Sequence, residues 1–330
     1  MREYKILKEE NNIRLDKYVK KVLNQAPLSM IYKLFRKKDI KVNGKPANDK
    51  TVLKEGDIVR IYLVEEKYND VVSQKKVSIK EHHFKVVYED ANILIVSKPV
   101  GMVVQDAENV NEPTLTDEVR SYLFEKKEYD PNLQIGFDPS PAHRIDRNTS
   151  GLVIYGKNIE ALQDLNEMFK LRVGIHKTYL ALVCGIINQE GKINKPLNKD
   201  ENEKTVRVDF KNGKNAITLY KPIINNNEFS LVEASILTGR THQIRVHFSS
   251  INHPLVGDKK YGNFGVNLEF SQKYKWKNQF LHAYKIEFKE IEGKLSYLNG
   301  KSIINIPDSD KLEILSFVFK SDIKTLLLKK

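Results

Sequence analysis

The chain of 330 residues holds one cysteine, Cys184, and one tryptophan. A lone cysteine can form no internal disulfide and no thiolate metal site, so the fold must rest on ordinary packing. Cys184 sits inside the apolar run YLALVCGII, where a small buried hydrophobe is the expected role rather than a nucleophile. That run is the longest apolar candidate and falls well short of the roughly 18 residues a spanning helix needs. The opening MREYKILKEENN lacks the apolar segment of a signal peptide, so a soluble cytoplasmic chain is expected. Also missing are a phosphate-cradling glycine loop, a Gly-x-Ser-x-Gly elbow and a zincin helix, which sets aside nucleotide hydrolysis, esterase and metalloprotease chemistry. His242, His247 and His253 are spaced for neither one helix face nor a finger loop, and His242 and His247 are expected on opposite faces of a strand. No metal site is expected.

Acidic residues are also in deficit. Formal charge is +12, and residues 1 to 64 carry 16 Lys and Arg against 8 Asp and Glu, so most of the excess lies in the first fifth of the chain. A polyanionic partner for an N-terminal basic module is the simple implication, against the plainer alternative of a lysine-rich solvated surface.

In RLDKYVKKVL, the residues Leu15, Tyr18, Val19, Val22 and Leu23 recur at helical spacing with Lys17, Lys20 and Lys21 outward, and Pro27 breaks the pattern. SMIYKLFRKK predicts a second helix with Ser29 as its cap and Ile31, Leu34 and Phe35 inward. IKVNGKPA reads as a strand and an Asn-Gly turn, and LKEGDIVRIYLV as a turn and a further strand. Arg14-Leu15-Asp16, Ser29 to Arg36, Val42-Asn43-Gly44 and Gly56-Asp57 make this stretch similar to the alpha-L RNA-binding domain of a small-subunit ribosomal protein and several RNA-modifying enzymes. The resemblance implies phosphate contacts by Lys33, Arg36, Lys37, Lys38 and Lys41. Residues 1–65 are expected to form this domain and 66–83, which show no sustained period, a linker.

From residue 84 to about 320, short β-rich runs alternate with turns, and only ALQDLNEMFK and the region near 115 to 126 read as helical. HQIRVHF is read as a strand, of whose residues half must face inward. Strands outnumber helices in irregular order, so the expected class is α+β, with a mixed, largely antiparallel sheet over residues 84–330.

PAHRIDRNTSGLVIYGKN carries one carboxylate, Asp146, between Arg144 and Arg147 at the edge of an apolar run. It resembles the catalytic signature of the RluA-type pseudouridine synthases, His-Arg-Leu-Asp-x-x-Thr-Ser-Gly, with Ile145 in place of Leu. SKPVGMVV, HKTYLALVCG, TGRTHQIRVHF, HPLVGDKKYG and FLHAYKIEF follow in the family's order, so the likeness spans nearly all of residues 84 to 290. Two departures, Val104-Gln105 and Lys289-Glu290 where family members often have histidine, lie away from Asp146 and bear on substrate details.

The resemblance implies an isomerisation that detaches uracil from ribose, rotates it and rejoins it through carbon 5, with no metal, nucleotide or redox cofactor. It needs one ionised carboxylate, either to attack the anomeric carbon or to assist breakdown to a glycal. The catalytic aspartate falls on Asp146, its guanidinium partner on Arg245 and the active-site tyrosine on Tyr179. Tyr179 offers the uracil a flat wall and a hydroxyl for the carbon 5 proton, although alone it would read as a strand core residue. Because a stacked uridine must be extruded, Arg144 is the implied wedge into the RNA stack, with Arg240, His242 and Gln243 on the RNA and Leu281 closing over the base. Joined to the N-terminal module, these motifs are similar to family members that act on large-subunit ribosomal RNA, with a monomer expected. Another ribosomal or a transfer RNA uridine is the alternative substrate. A non-catalytic ribosome-assembly factor would share the basic module but has no use for Asp146, Tyr179 and Arg245 together, and a uracil-removing hydrolase should show a water-positioning partner that is not found.

Overall fold

The computed structural model describes residues 1–73, 81–105, 112–200 and 205–329. The N-terminal unit comprises strand β1 (Arg2–Lys5), helices α1 (Leu15–Val22) and α2 (Leu28–Arg36), and strands β2 (Ile40–Val42), β3 (Lys45–Pro46) and β4 (Ile58–Ile61). Its sheet runs β1-β4-β2-β3, all antiparallel. The Asn-Gly turn is there: Asn43 and Gly44 both take positive φ between β2 and β3, the conformation a tight hairpin of this twist requires. Leu15, Tyr18, Val19 and Val22 on α1, with Ile31 and Leu34 on α2, are buried against the sheet. Ser29 does not cap α2. The helix starts two residues earlier than such a cap would place it, at Leu28 after an extended Pro27, whose ring presets the entry while its own carbonyl takes up the first turn's N–H groups.

The first half of the stretch read as a linker is helix α3 (Glu65–Val71), with Val71 buried in the N-terminal core and Tyr68 hydroxyl-bonded to Tyr4. Too few residues carry the period for sequence to reveal it; residues 74–80 of that stretch lie outside the described ones. The N-terminal unit is also packed on the rest of the chain. Phe137 and Ile159 belong to its core cluster, and buried Glu10 accepts hydrogen bonds from the N–H groups of Leu7 (3.0 Å) and Gly136 (2.5 Å).

The remainder contains strands β5 (Lys85–Glu89) and β6 (Ile93–Lys98), helix α4 (Leu115–Glu125), strands β7 (Ser140–Pro141) and β8 (Ser150–Gly156), helix α5 (Ile159–Leu171), and strand β9 (Ile175–Cys184). Then come β10 (Gly191–Asn194), the hairpin β11 (Leu197–Asp200) and β12 (Thr205–Val208), β13 (Ile217–Asn225) and β14 (Phe229–Ile236). Helices α6 (Gln243–Ser249) and α7 (Phe264–Tyr274), strands β15 (Leu281–Phe288) and β16 (Ser302–Ile304), and helices α8 (Ser309–Phe319) and α9 (Ile323–Leu328) complete it. The α+β class holds, with a mixed sheet ordered β10-β13-β14-β9-β15-β8-β6-β5, to which β16 adds on β15 and β7 on β8. More helix is present than the sequence shows. α6 is the segment read as a strand, because Ile244, Val246 and Phe248 alternate as a strand would, yet Ile244 and Phe248 also stand four apart and bury one helical face.

Side chains alternate across the sheet. Ile93, Ile95, Leu152, Ile154, Tyr179 and Ala181 face α5 and α6, whereas Leu180, Leu182, Phe229 and Leu231 face the C-terminal helices, with α4 covering Leu94, Val96, Val153 and Tyr155. Among the described residues, every strand pairing is antiparallel except the short step from β8 to β15. Gly151 pairs there with Ala283 at φ 108°, and a Cβ on it would come within 2.3 Å of the Ala283 carbonyl oxygen. Only glycine fits a contact so close at such a dihedral, which accounts for the glycine of Thr149-Ser150-Gly151. No helix among the described residues is long and apolar enough to cross a membrane.

Candidate active site

Asp146 lies in the loop from β7 into β8, and that loop is pinned at both ends. On one side the buried Lys98 ammonium donates three hydrogen bonds, to the carbonyls of Pro99, Met102 and Arg147, at 2.7 to 2.9 Å. Burial, aided by Lys311, draws that ammonium down to about 7. On the other side Lys311 of α8 donates to the Ser150 hydroxyl, which lies 2.8 Å from His282 Nδ1, and His282 Nε2 lies 2.8 Å from the Asn305 carbonyl. The donors fix the sense of this chain. The ammonium can only donate, so the Ser150 hydroxyl donates its hydrogen bond to Nδ1, and His282 is neutral with hydrogen on Nε2. Burial holds the His282 imidazole down at about 3, in agreement with that assignment.

From 99 positions downstream, α6 brings Arg245 to the loop. Its Nη1 donates to Asp146 Oδ2 at 3.0 Å, while Nε and Nη2 donate to the two oxygens of Asp258 at 2.7 and 2.9 Å. Asp258 is buried and also accepts from the N–H groups of Lys260 and Tyr261. Burial disfavours both members of the Arg245–Asp258 pair, but their mutual hydrogen bonds outweigh it: the carboxyl lies below its usual range and the guanidinium above. The Tyr261 ring lies 5.1 Å from the Arg245 guanidinium. Asp258 and Tyr261 were missed as site residues in the sequence, although both stand in HPLVGDKKYG; a carboxylate three residues from an aromatic becomes informative only once α6 is known to reach it.

Asp146 is about a quarter exposed and opens on a cavity of about 890 Å³, of a size suited to a nucleotide. Tyr179, Arg144, Arg240, His242 and Leu281 line the same cavity. Tyr179 is buried on β9, with its phenol raised above the ordinary range by burial and then by the Asp146 charge, so it stands as a neutral phenol rather than a base. His242 heads α6 in a left-handed conformation, with Nε2 3.9 Å from Asp146 and Nδ1 2.8 Å from the Tyr261 hydroxyl; burial keeps it neutral. Arg144 is exposed at the rim, and Arg240 is half-buried with Nε on the Asn215 carbonyl.

Gln243 differs from its expected role on RNA. It is buried, its Oε1 accepting from Thr238 and the Arg240 N–H and its Nε2 donating to the Ile217 carbonyl and Thr218, so its amide is spent on holding the loop ahead of α6. His247, likewise buried, bonds Thr218 and the Lys195 carbonyl, and no cluster of three metal-binding side chains exists among the described residues. Lys33, Arg36, Lys37 and Lys38 are exposed at and after the end of α2, and Lys41 lies over the Tyr62 ring, far in sequence from the cavity.

The family described as RNA pseudouridylate synthase matches residues 92–250. The chain is 37% identical to an uncharacterized RNA pseudouridine synthase of Mycoplasma capricolum, over 93% of this chain and 98% of that protein. It is 34% identical to the ribosomal large subunit pseudouridine synthase C of Vibrio parahaemolyticus, over 91% and 90%. Among solved structures it shares the fold of human RNA pseudouridylate synthase domain containing 4, with a TM-score of 0.56 at 18% identity, over 71% of this chain and 92% of that one. The chain belongs to the RNA pseudouridylate synthase family.

Proposed function

We propose that the protein isomerises uridines to pseudouridine in large-subunit ribosomal RNA, with Asp146 as the reactive carboxylate. The observation that carries this reading is Asp146 held against Arg245 at 3.0 Å on the floor of a nucleotide-sized cavity that Tyr179 also lines. A guanidinium already fixed by Asp258 keeps the Asp146 oxygen oriented while the second oxygen is left for the sugar. The carboxylate then either bonds the anomeric carbon or takes the proton that turns the sugar into a glycal. Tyr179 forms the wall for the extruded uracil, Leu281 closes over it and Arg144 fills the gap in the RNA stack. Arg240 and His242 contact the displaced strand. As a neutral phenol Tyr179 acts first by stacking and donating a hydrogen bond, and the carbon 5 proton leaves after the new bond forms.

Residues 1–65 act as an alpha-L RNA-binding domain, with Lys33, Arg36, Lys37, Lys38 and Lys41 on the phosphates, and residues 84–330 as the catalytic domain. Four strands, two basic helices and an exposed row of cations support that assignment. The kinship with ribosomal large subunit synthases supports that substrate over a transfer RNA. A cytoplasmic monomer is the working form.

The test is a map of pseudouridines in ribosomal and transfer RNA from cells lacking the gene, complemented by wild type or by Asp146→Ala. Large-subunit sites are expected to vanish with the gene and return with wild type alone. Loss of no site, or full restoration by Asp146→Ala, overturns the reading.

A further inference from the structure

Lys177 stands on β9 two residues before Tyr179, so both side chains project from the same face of the strand, and both line the cavity. Among the described residues its ammonium has no carboxylate or hydrogen-bond partner; it lies over the Phe169 ring, 4.6 Å from the centroid. Phe169 in turn packs on His143, with ring centroids 4.9 Å apart, and the His143 imidazole is kept neutral by burial, reinforced by the Lys177 charge. A cation set over an aromatic ring that itself packs on a neutral imidazole is poorly solvated, and loss of water draws the Lys177 ammonium down to about 8. Such a group gains most when negative charge enters the cavity beside it.

Two sources of negative charge come with an extruded nucleotide, the phosphates and the base. Arg144 and Arg172 are exposed and Arg240 stands half-buried, all three on the cavity lining, where backbone phosphates pass. Lys177 instead shares the wall that receives the ring of the base. When the C1′–N1 bond breaks, its electron pair passes into the uracil ring and spreads over N1, O2 and O4. Carbon 5 then bonds C1′ and loses its proton, N1 gains one, and atoms and charge balance as an isomerisation must.

We infer that Lys177 is a further catalytic residue, whose ammonium donates a hydrogen bond to a carbonyl oxygen of the extruded uracil and stabilises the charge the ring carries while detached. The inference rests on the functional reading above. A lysine that merely props Phe169 would act on folding or binding and be indifferent to the chemistry of the leaving ring.

The experiment compares full-length wild type, Lys177→Met and Lys177→Arg in single-turnover rearrangement of in vitro transcribed large-subunit ribosomal RNA, made with uridine or with 5-fluorouridine and read by nuclease digestion and chromatography; the fluorinated ring has no carbon 5 proton to lose, so its product keeps the fluorine and takes up water across N1 and carbon 6. Fluorine makes the departing ring a better leaving group and reduces its need for a cation. Lys177→Met is expected to lose about 100-fold in rate at saturating protein on uridine RNA, with half-saturation moved by less than about threefold, and to lose less than about tenfold on 5-fluorouridine RNA. Lys177→Arg should recover part of the loss. Equal losses on the two RNAs, a loss confined to half-saturation, or full activity of Lys177→Met overturns the inference. A wild type that rearranges neither RNA overturns the functional reading and this inference with it.

Discussion

Arg245 is gripped by Asp258 through two hydrogen bonds, of 2.7 and 2.9 Å, and reaches Asp146 with the one nitrogen that remains. The buried carboxylate thus fixes the fork before the reactive one touches it. Removing it leaves a buried cation half-paired, which typically costs about 3–5 kcal/mol. Asp258→Ala is therefore expected to lower the unfolding free energy by that order and to cut the rate of pseudouridine formation more than it weakens RNA binding. Asp258→Asn keeps an acceptor and should fall between Asp258→Ala and wild type in both. Denaturant titration and single-turnover kinetics check the pair of effects; an Asp258→Ala protein with wild-type rate would show that Arg245 needs no anchor.

His282 makes stability depend on pH on the acid side. Its folded imidazole titrates near 3 and its unfolded one near the ordinary 6.5, so between those values the unfolded chain binds the extra proton. The stability that a neutral His282 allows is present above about 6.5 and lost as pH falls, at up to about 1.4 kcal/mol per pH unit. Urea titrations at pH 7, 6 and 5 should show a falling midpoint, and His282→Gln should flatten the fall. An unchanged slope in that variant would assign the acid sensitivity to other groups.

Lys33, Arg36 and Lys37 are exposed on and just beyond α2. Changing all three to alanine should weaken binding to large-subunit ribosomal RNA and reduce the slope of log affinity against log salt by about 2 to 3. Substitution is the sounder test than deletion of the N-terminal unit, because Phe137 and Ile159 share its core and would be laid bare. An unaltered salt slope would make the row of cations a solvated face.

The sequence made legible what short motifs and strong periods encode: both basic helices, the Asn43-Gly44 hairpin, the mixed sheet, and the meeting of Asp146 with Arg245, which stand 99 positions apart. Other features depend on partners that no local pattern announces. α6 passed for a strand because three apolar residues alternate, although two of them, Ile244 and Phe248, also keep the helical spacing. Gln243 looked available to RNA, but its amide is consumed by Thr238, Arg240, Ile217 and Thr218, which only the folded chain gathers. The segment that forms α8 resembles the family only loosely in sequence, yet its Lys311 reaches the Ser150 hydroxyl of the signature turn.

Single-turnover pseudouridine formation by purified protein tests the central claim most directly, with large-subunit ribosomal RNA from cells lacking the gene as substrate and Asp146→Asn as the comparison. Asn keeps the size of the side chain and an oxygen for Arg245 while removing the charge, so folding and RNA affinity should stay near wild type. The account predicts a rate reduced by at least about 1000-fold. An Asp146→Asn protein that forms pseudouridine within about tenfold of the wild-type rate would contradict it.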